Sequence, residues 1–129
     1  MQLKEILSKH QSNFHEVMKG VHDTSNLKKV DMSRYNKELM AVDVNNTAVF
    51  TEWMEEQLDG KIGWGGYMEH REIYRRSKHF DGQGEPRSLH LGIDLWAPAG
   101  TALYCPLDGF VESFADNIGF ANYGPTIIL

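Results

Sequence analysis

The sequence predicts an α+β fold, with N-terminal helices followed by an antiparallel β region, and three observations carry that expectation. Apolar residues recur at helical spacing up to Gly60. Beyond Gly60, glycine and proline turns recur at short intervals between short apolar runs. The chain's 129 residues, 41% hydrophobic and 11% aromatic, suit one folded domain large enough to bury a core but too short for two large lobes.

The elements follow in order. Over 3–21, Leu3, Ile6, Leu7, Phe14, Val17, Met18 and Val21 keep spacings of three, four and seven, which predicts an amphipathic helix. Asp23-Thr24-Ser25-Asn26 ends it, and the alternation of Val30 and Met32 within 27–33 predicts a short strand. Asn45-Asn46-Thr47 opens a second helix, because short polar side chains satisfy the free N–H groups of a first turn. Val49, Phe50, Trp53, Met54 and Leu58 form its apolar face and Glu52, Glu55, Glu56 and Asp59 its polar one. Gly63-Trp64-Gly65-Gly66-Tyr67 reads as a glycine–aromatic connector. Pro98-Ala99-Gly100 and Pro106-Leu107-Asp108-Gly109 are turn chemistry between strands expected over 89–95, 101–105, 110–114 and 126–129. The division expected is a mainly helical extension, 1–64, and a partial β domain, 65–129. An apolar β run that stops at Leu129 without a following turn leads us to expect a C-terminally incomplete domain.

A net charge of −5 argues against nucleic acid as the main partner, which calls for a basic face. The basic run over 71–79 reads as solvated surface, although Arg71, Arg75 or Arg87 could face a substrate. One cysteine, Cys105, allows no disulfide within the chain, and its apolar neighbours predict a small buried hydrophobe. The charged start, with Lys4, Glu5 and Lys9, is no signal peptide, and no apolar run reaches the roughly 20 residues of a membrane span. As it stands the chain reads as cytoplasmic.

The polar pair that invites chemistry is His90 and Asp94, in "RSLHLGIDLW" (87–96). On a strand, Leu89, Leu91, Ile93 and Leu95 share one face, while His90, Gly92 and Asp94 share the other. Four extended residues span about 13 Å, whereas two zinc ligands each reach to about 2.0–2.2 Å from one ion. The chain must therefore bend between them, and Gly92 is the residue that permits it. Spacing alone leaves open a plain His–Asp surface pair.

The longer stretch "HLGIDLWAPAGTALYCPLDGFVESF" resembles the lysostaphin/LytM-type zinc metallopeptidases, many of which cut peptidoglycan cross-bridges. Their His-x-Gly-x-Asp motif matches His90, Gly92 and Asp94. Their Ala-Pro-x-Gly-Thr segment matches Ala97, Pro98, Gly100 and Thr101, and the apolar-Pro-x-x-Gly turn matches Pro106 and Gly109. The resemblance covers 85–129, the last third of the chain. It implies an incomplete lysostaphin-type β-sheet domain, a Zn2+ cofactor held by His90 and Asp94, and a peptide or peptidoglycan-like substrate. It also implies a third ligand and a catalytic histidine in a later His-x-His motif, and a further histidine in a Gly-His-Leu type segment. No histidine follows His90, so no catalytic residue is assigned within these 129 residues. Members of that family usually act outside the cytoplasm, in tension with the absent export signal.

Other histidines lack a ligand set: His70 and His79 sit among cations, and His10, His15 and His22 flank the first helix. "GWGGY" is neither a dinucleotide fingerprint nor a phosphate loop, and no Gly-x-Ser-x-Gly elbow is present. Trp64, Tyr67 and Trp96 could stack on a sugar or peptide, but beside glycine turns they read first as core plugs. Two alternatives to the peptidase stay open: a non-catalytic module binding a peptide or partner on the same β scaffold, and a structural domain in which His90 and Asp94 only pair.

Overall fold

The computed structural model describes residues 2–71, 88–119 and 122–129. The first helix, α1, spans only Leu3–Lys9 and buries none of its side chains. The expected run to 21 breaks into a 3-10 turn at Gln11–Asn13 and further turns. Residues 10–21 nevertheless feed the interior through Met18, which is buried. A four-residue helix, α2 (Lys37–Met40), is capped by the Asn36 side chain. The expected second helix is α3, Thr47–Leu58. Asn46 caps it by accepting from the Ala48 and Val49 N–H groups, and Asp59 ends it in left-handed backbone before Gly60.

The strands are short. Among the described residues, β1 (Leu27–Lys29), β2 (Ile62–Gly65) and β5 (Asp94–Trp96) make a three-stranded sheet in the order β1-β2-β5. The β1–β2 pair is parallel and the β2–β5 pair antiparallel. Two antiparallel pairs accompany it: β3 (Glu69–His70) with β4 (Leu89–His90), and β6 (Ser113–Asn117) with β7 (Gly124–Ile128). A few helices with mostly antiparallel sheets make this an α+β chain.

Three differences from the sequence reading have physical causes. The glycine–aromatic connector is largely strand: β2 lies between β1 and β5, so the sheet takes strands from both sides of the 64/65 boundary. Residues 101–105 form no regular strand: the Tyr104 N–H bonds to the Val17 carbonyl, and the next residue, Pro106, accepts from the His15 N–H, so their neighbour is the irregular segment 15–17. Cys105 is exposed rather than buried, and its thiol donates to the Leu107 carbonyl.

The core lies between the sheet and α3. Val30, Met32 and Met54 are buried, with Leu39, Phe50, Trp53, Leu58 and Trp96 packed against them. Phe50 and Trp53 stack with ring centroids 5.9 Å apart. Trp96 is thus the plug expected, whereas Trp64 and Tyr67 are exposed, with the Lys29 ammonium lying over the Trp64 ring. No helix among the described residues is long and apolar enough to cross a membrane.

Candidate metal centre

The strand expected over 89–95 is broken where two ligands would need it to be. β4 ends at His90, β5 begins at Asp94, and Leu91-Gly92-Ile93 bends between them. The sequence that makes the bend also leaves it unpacked, since Leu91 and Ile93 are 66% and 68% exposed. Across it, His90 Nε2 lies 3.5 Å from Asp94 Oδ1. Two donors bonded at about 2.0–2.2 Å to one tetrahedral ion sit about 3.3–3.6 Å apart. The separation therefore suits a shared ion as well as a direct His–Asp contact.

The imidazole is oriented from behind. His90 Nδ1 lies 2.9 Å from the Gly66 carbonyl oxygen. A carbonyl only accepts, so Nδ1 carries the proton and the lone pair of the neutral ring is on Nε2, the nitrogen facing Asp94. Metal-ligating histidines are held this way by a backbone carbonyl or carboxylate on their other nitrogen. Side-chain exposures of 17% for His90 and 30% for Asp94 leave the pair reachable from solvent.

Gly66 does more than accept that bond. Its φ of +94° is in the left-handed region. A Cβ there would lie 2.6 Å from Arg71 Nη2, 2.6 Å from His90 Nδ1 and 2.9 Å from Asp94 Oδ2. The last glycine of the supposed connector is thus the floor on which three polar side chains meet. Gly92 contributes space rather than conformational freedom. It is not among the glycines with positive φ, and a Cβ on it would stand 3.2 Å from His90 Nε2.

Arg71 itself departs from the reading of the basic run as solvated surface; the rest of that run lies outside the described residues. Arg71 is buried, at 6% exposure. Its Nη2 donates to Asp94 Oδ2, and its Nε donates to Glu69 Oε2 at 2.6 Å. Burial opposes the guanidinium's charge, but its hydrogen bonds to Asp94 and Glu69 outweigh that, and its pKa is raised above the ordinary arginine value. One guanidinium between two carboxylates leaves one negative charge, so the cluster does not repel a cation. Glu69 in turn uses Oε1 to accept from the Met32 N–H at 3.0 Å, tying the cluster to the core.

No protein-family model matches this chain, and neither a curated protein nor a solved structure does. The site is therefore read from its own geometry.

That geometry brings His90 and Asp94 together and leaves other candidates apart. β3 pairs Glu69 with His90 and His70 with Leu89, so His70 points to the opposite face from His90 and is exposed. His10, His15 and His22 are exposed and lie in the turns after α1 rather than on it, with His22 3.8 Å from Glu16. The positions Arg75, Arg76, Lys78, His79 and Arg87 lie outside the described residues. Among the described residues no group of three or more His, Cys, Asp or Glu could hold a metal ion. Downstream, Thr101 closes the Ala97-Pro98-Ala99-Gly100 turn, its hydroxyl donating to the Pro98 carbonyl at 2.7 Å.

Proposed function

We propose that this chain carries part of the catalytic centre of a zinc-dependent metalloendopeptidase acting on a peptide or peptidoglycan-like substrate, with His90 and Asp94 as two of the ligands. The observation that supports it most is the convergence of His90 Nε2 and Asp94 Oδ1, 3.5 Å apart across a bend at Gly92. The Nδ1 proton is spent on Gly66, as in a ligand imidazole. The likeness of the surrounding motifs to the lysostaphin/LytM type supplies the reaction class. Zinc bound there would lower the pKa of a coordinated water to about 7 and polarise the scissile carbonyl. His90 contributes a neutral nitrogen, Asp94 one negative oxygen, and Arg71 with Glu69 keeps the carboxylate in place. The reading requires a third ligand and a proton-handling histidine, which that family carries in a later His-x-His motif.

Zinc titration of the chain, followed through the ring nitrogens of its six histidines by NMR, tests the ligand assignment. His90 Nε2 is expected to shift first, and Asp94→Ala to remove that response while helical circular dichroism stays unchanged. Zinc collecting at His15 or His22 instead, or binding that survives Asp94→Ala, sinks the assignment. Reading the gene past the codon for Leu129 tests the enzyme itself: a His-x-His segment strengthens it and a stop codon removes it.

A second reading, a non-catalytic module that binds a peptide or partner, draws on a different observation. Phe114 and Ile127, cross-strand partners on one face of the β6–β7 pair, are 79% and 68% exposed, an apolar surface of the kind partners cover. Zinc binding that depends on His90 and Asp94 favours the first reading. Its absence favours the second.

A further inference from the structure

We infer that Arg71 is the positioning residue of this centre: it holds Asp94 by Oδ2, so that the carboxylate presents a single oxygen, Oδ1, to a metal ion. The inference rests on the reading of His90 and Asp94 as metal ligands, and the geometry around Arg71 carries the rest. The guanidinium is gripped on both sides, by Asp94 Oδ2 through Nη2 and by Glu69 Oε2 through Nε at 2.6 Å. Its side chain is 7% exposed, so turning away would leave charges unpaired in the interior. Its backbone is fixed as well, the Arg71 N–H donating to the Ser88 carbonyl at 2.6 Å beside the β3–β4 pair. The missing Cβ of Gly66 is what admits this arrangement, because Arg71 Nη2 and Asp94 Oδ2 both stand within 3 Å of where it would be. Asp94 thus divides its two oxygens: Oδ2 to the arginine, Oδ1 toward His90 Nε2. A carboxylate so divided coordinates through one oxygen, which keeps the coordination number low and leaves positions on the ion for water and substrate.

The test uses the full chain with Zn2+ as the probe, reading affinity by NMR titration and carboxylate coordination by zinc-minus-apo difference infrared spectroscopy. Wild type is expected to show the widely split carboxylate stretches of one-oxygen binding. Arg71→Gln is expected to weaken zinc binding by roughly ten-fold or more and to narrow that splitting as Oδ2 joins the ion. Arg71→Lys restores a cation without the planar fork and should fall between the two. A merely structural arginine would change affinity without changing the splitting, and that result overturns the inference, as does unchanged affinity in both variants. If Arg71→Gln does not fold, Arg71→Lys decides: zinc binding equal to wild type overturns the inference, and a several-fold loss with a narrowed splitting upholds it. His90→Ala and Asp94→Asn separate the two levels. Zinc binding that survives both removes the metal reading itself, whereas loss in these with no effect at Arg71 removes only the positioning role.

Discussion

Two glycines at the centre do opposite jobs, and single substitutions should separate them. Gly66 sits at φ +94° with three polar atoms closing on its missing Cβ. Gly66→Ala combines left-handed strain with a steric conflict, and we expect a loss of about 2–4 kcal/mol in urea unfolding. Gly92 has no such backbone demand, so Gly92→Ala should change stability by less than about 1 kcal/mol. Its added methyl would crowd His90 Nε2, so zinc titration of that folded variant should show weakened binding. An unfolded Gly92→Ala protein would show instead that the bend itself needs glycine. At this scale the sequence was legible where the relation is local. His90 and Asp94 are four apart, and their alternation with leucines and the intervening glycine shows that they can meet. Arg71 was not legible, because its partner Asp94 is 23 residues away and a basic run ordinarily means solvent. The only local hint was Glu69, two residues before it and bonded to it.

Among the helices, α3 was the readable one because its cap and a full apolar face agree, whereas α2 has its Asn36 cap but only four residues to show a period. α3 begins and ends where Asn46 and Asp59-Gly60 place it, and removing the cap with Asn46→Ala should cost about 1 kcal/mol in thermal or urea unfolding. The segment after α1 was misjudged because its apolar spacing is helical while its backbone is held otherwise. Glu16 accepts from the Gly20 and His22 N–H groups, closing a turn where the helix would have continued. Those bonds favour the charged carboxylate, and the Gly20 N–H, followed by that of His22, holds its pKa below the usual glutamate value. A lowered pKa in the folded chain means that the turn is supported above the ordinary carboxylate range and loses that support as pH falls through the lowered value. The Gly20 amide shift, followed by NMR against pH, should therefore titrate with a midpoint below that of an unfolded glutamate. Strand identity was the hardest to read. Runs of two to five residues have little periodicity of their own, and partners decide which of them pair. The parallel β1–β2 pairing joins residues 35 positions apart, Leu27 to Ile62, which no local pattern shows.

For the molecule as a whole, β2 is the strand on which site and core both depend. It pairs with β1 on one side and with β5, which begins at Asp94, on the other. A chain starting at residue 65 would lack that partner, and we expect its His90 ring nitrogens to lose their Gly66-bonded signature in NMR. A native-like His90 spectrum from such a piece would show that the β region folds independently. Core truncation belongs at the same scale: Met54→Ala, at a site 6% exposed and packed on Val30 and Met32, should cost about 2–4 kcal/mol in denaturant unfolding.

Glu69 gives this arrangement an internal gauge. One of its oxygens grips the Arg71 guanidinium and the other the amide of Met32, a residue sealed at 4% exposure on the far side of the carboxylate. Whatever stiffens or loosens Arg71 is passed by one rigid planar group to a peptide N–H shielded from bulk water. The deuterium uptake of that single amide is thus a spectator signal, by which events around Asp94 register inside the protein without a label placed near them.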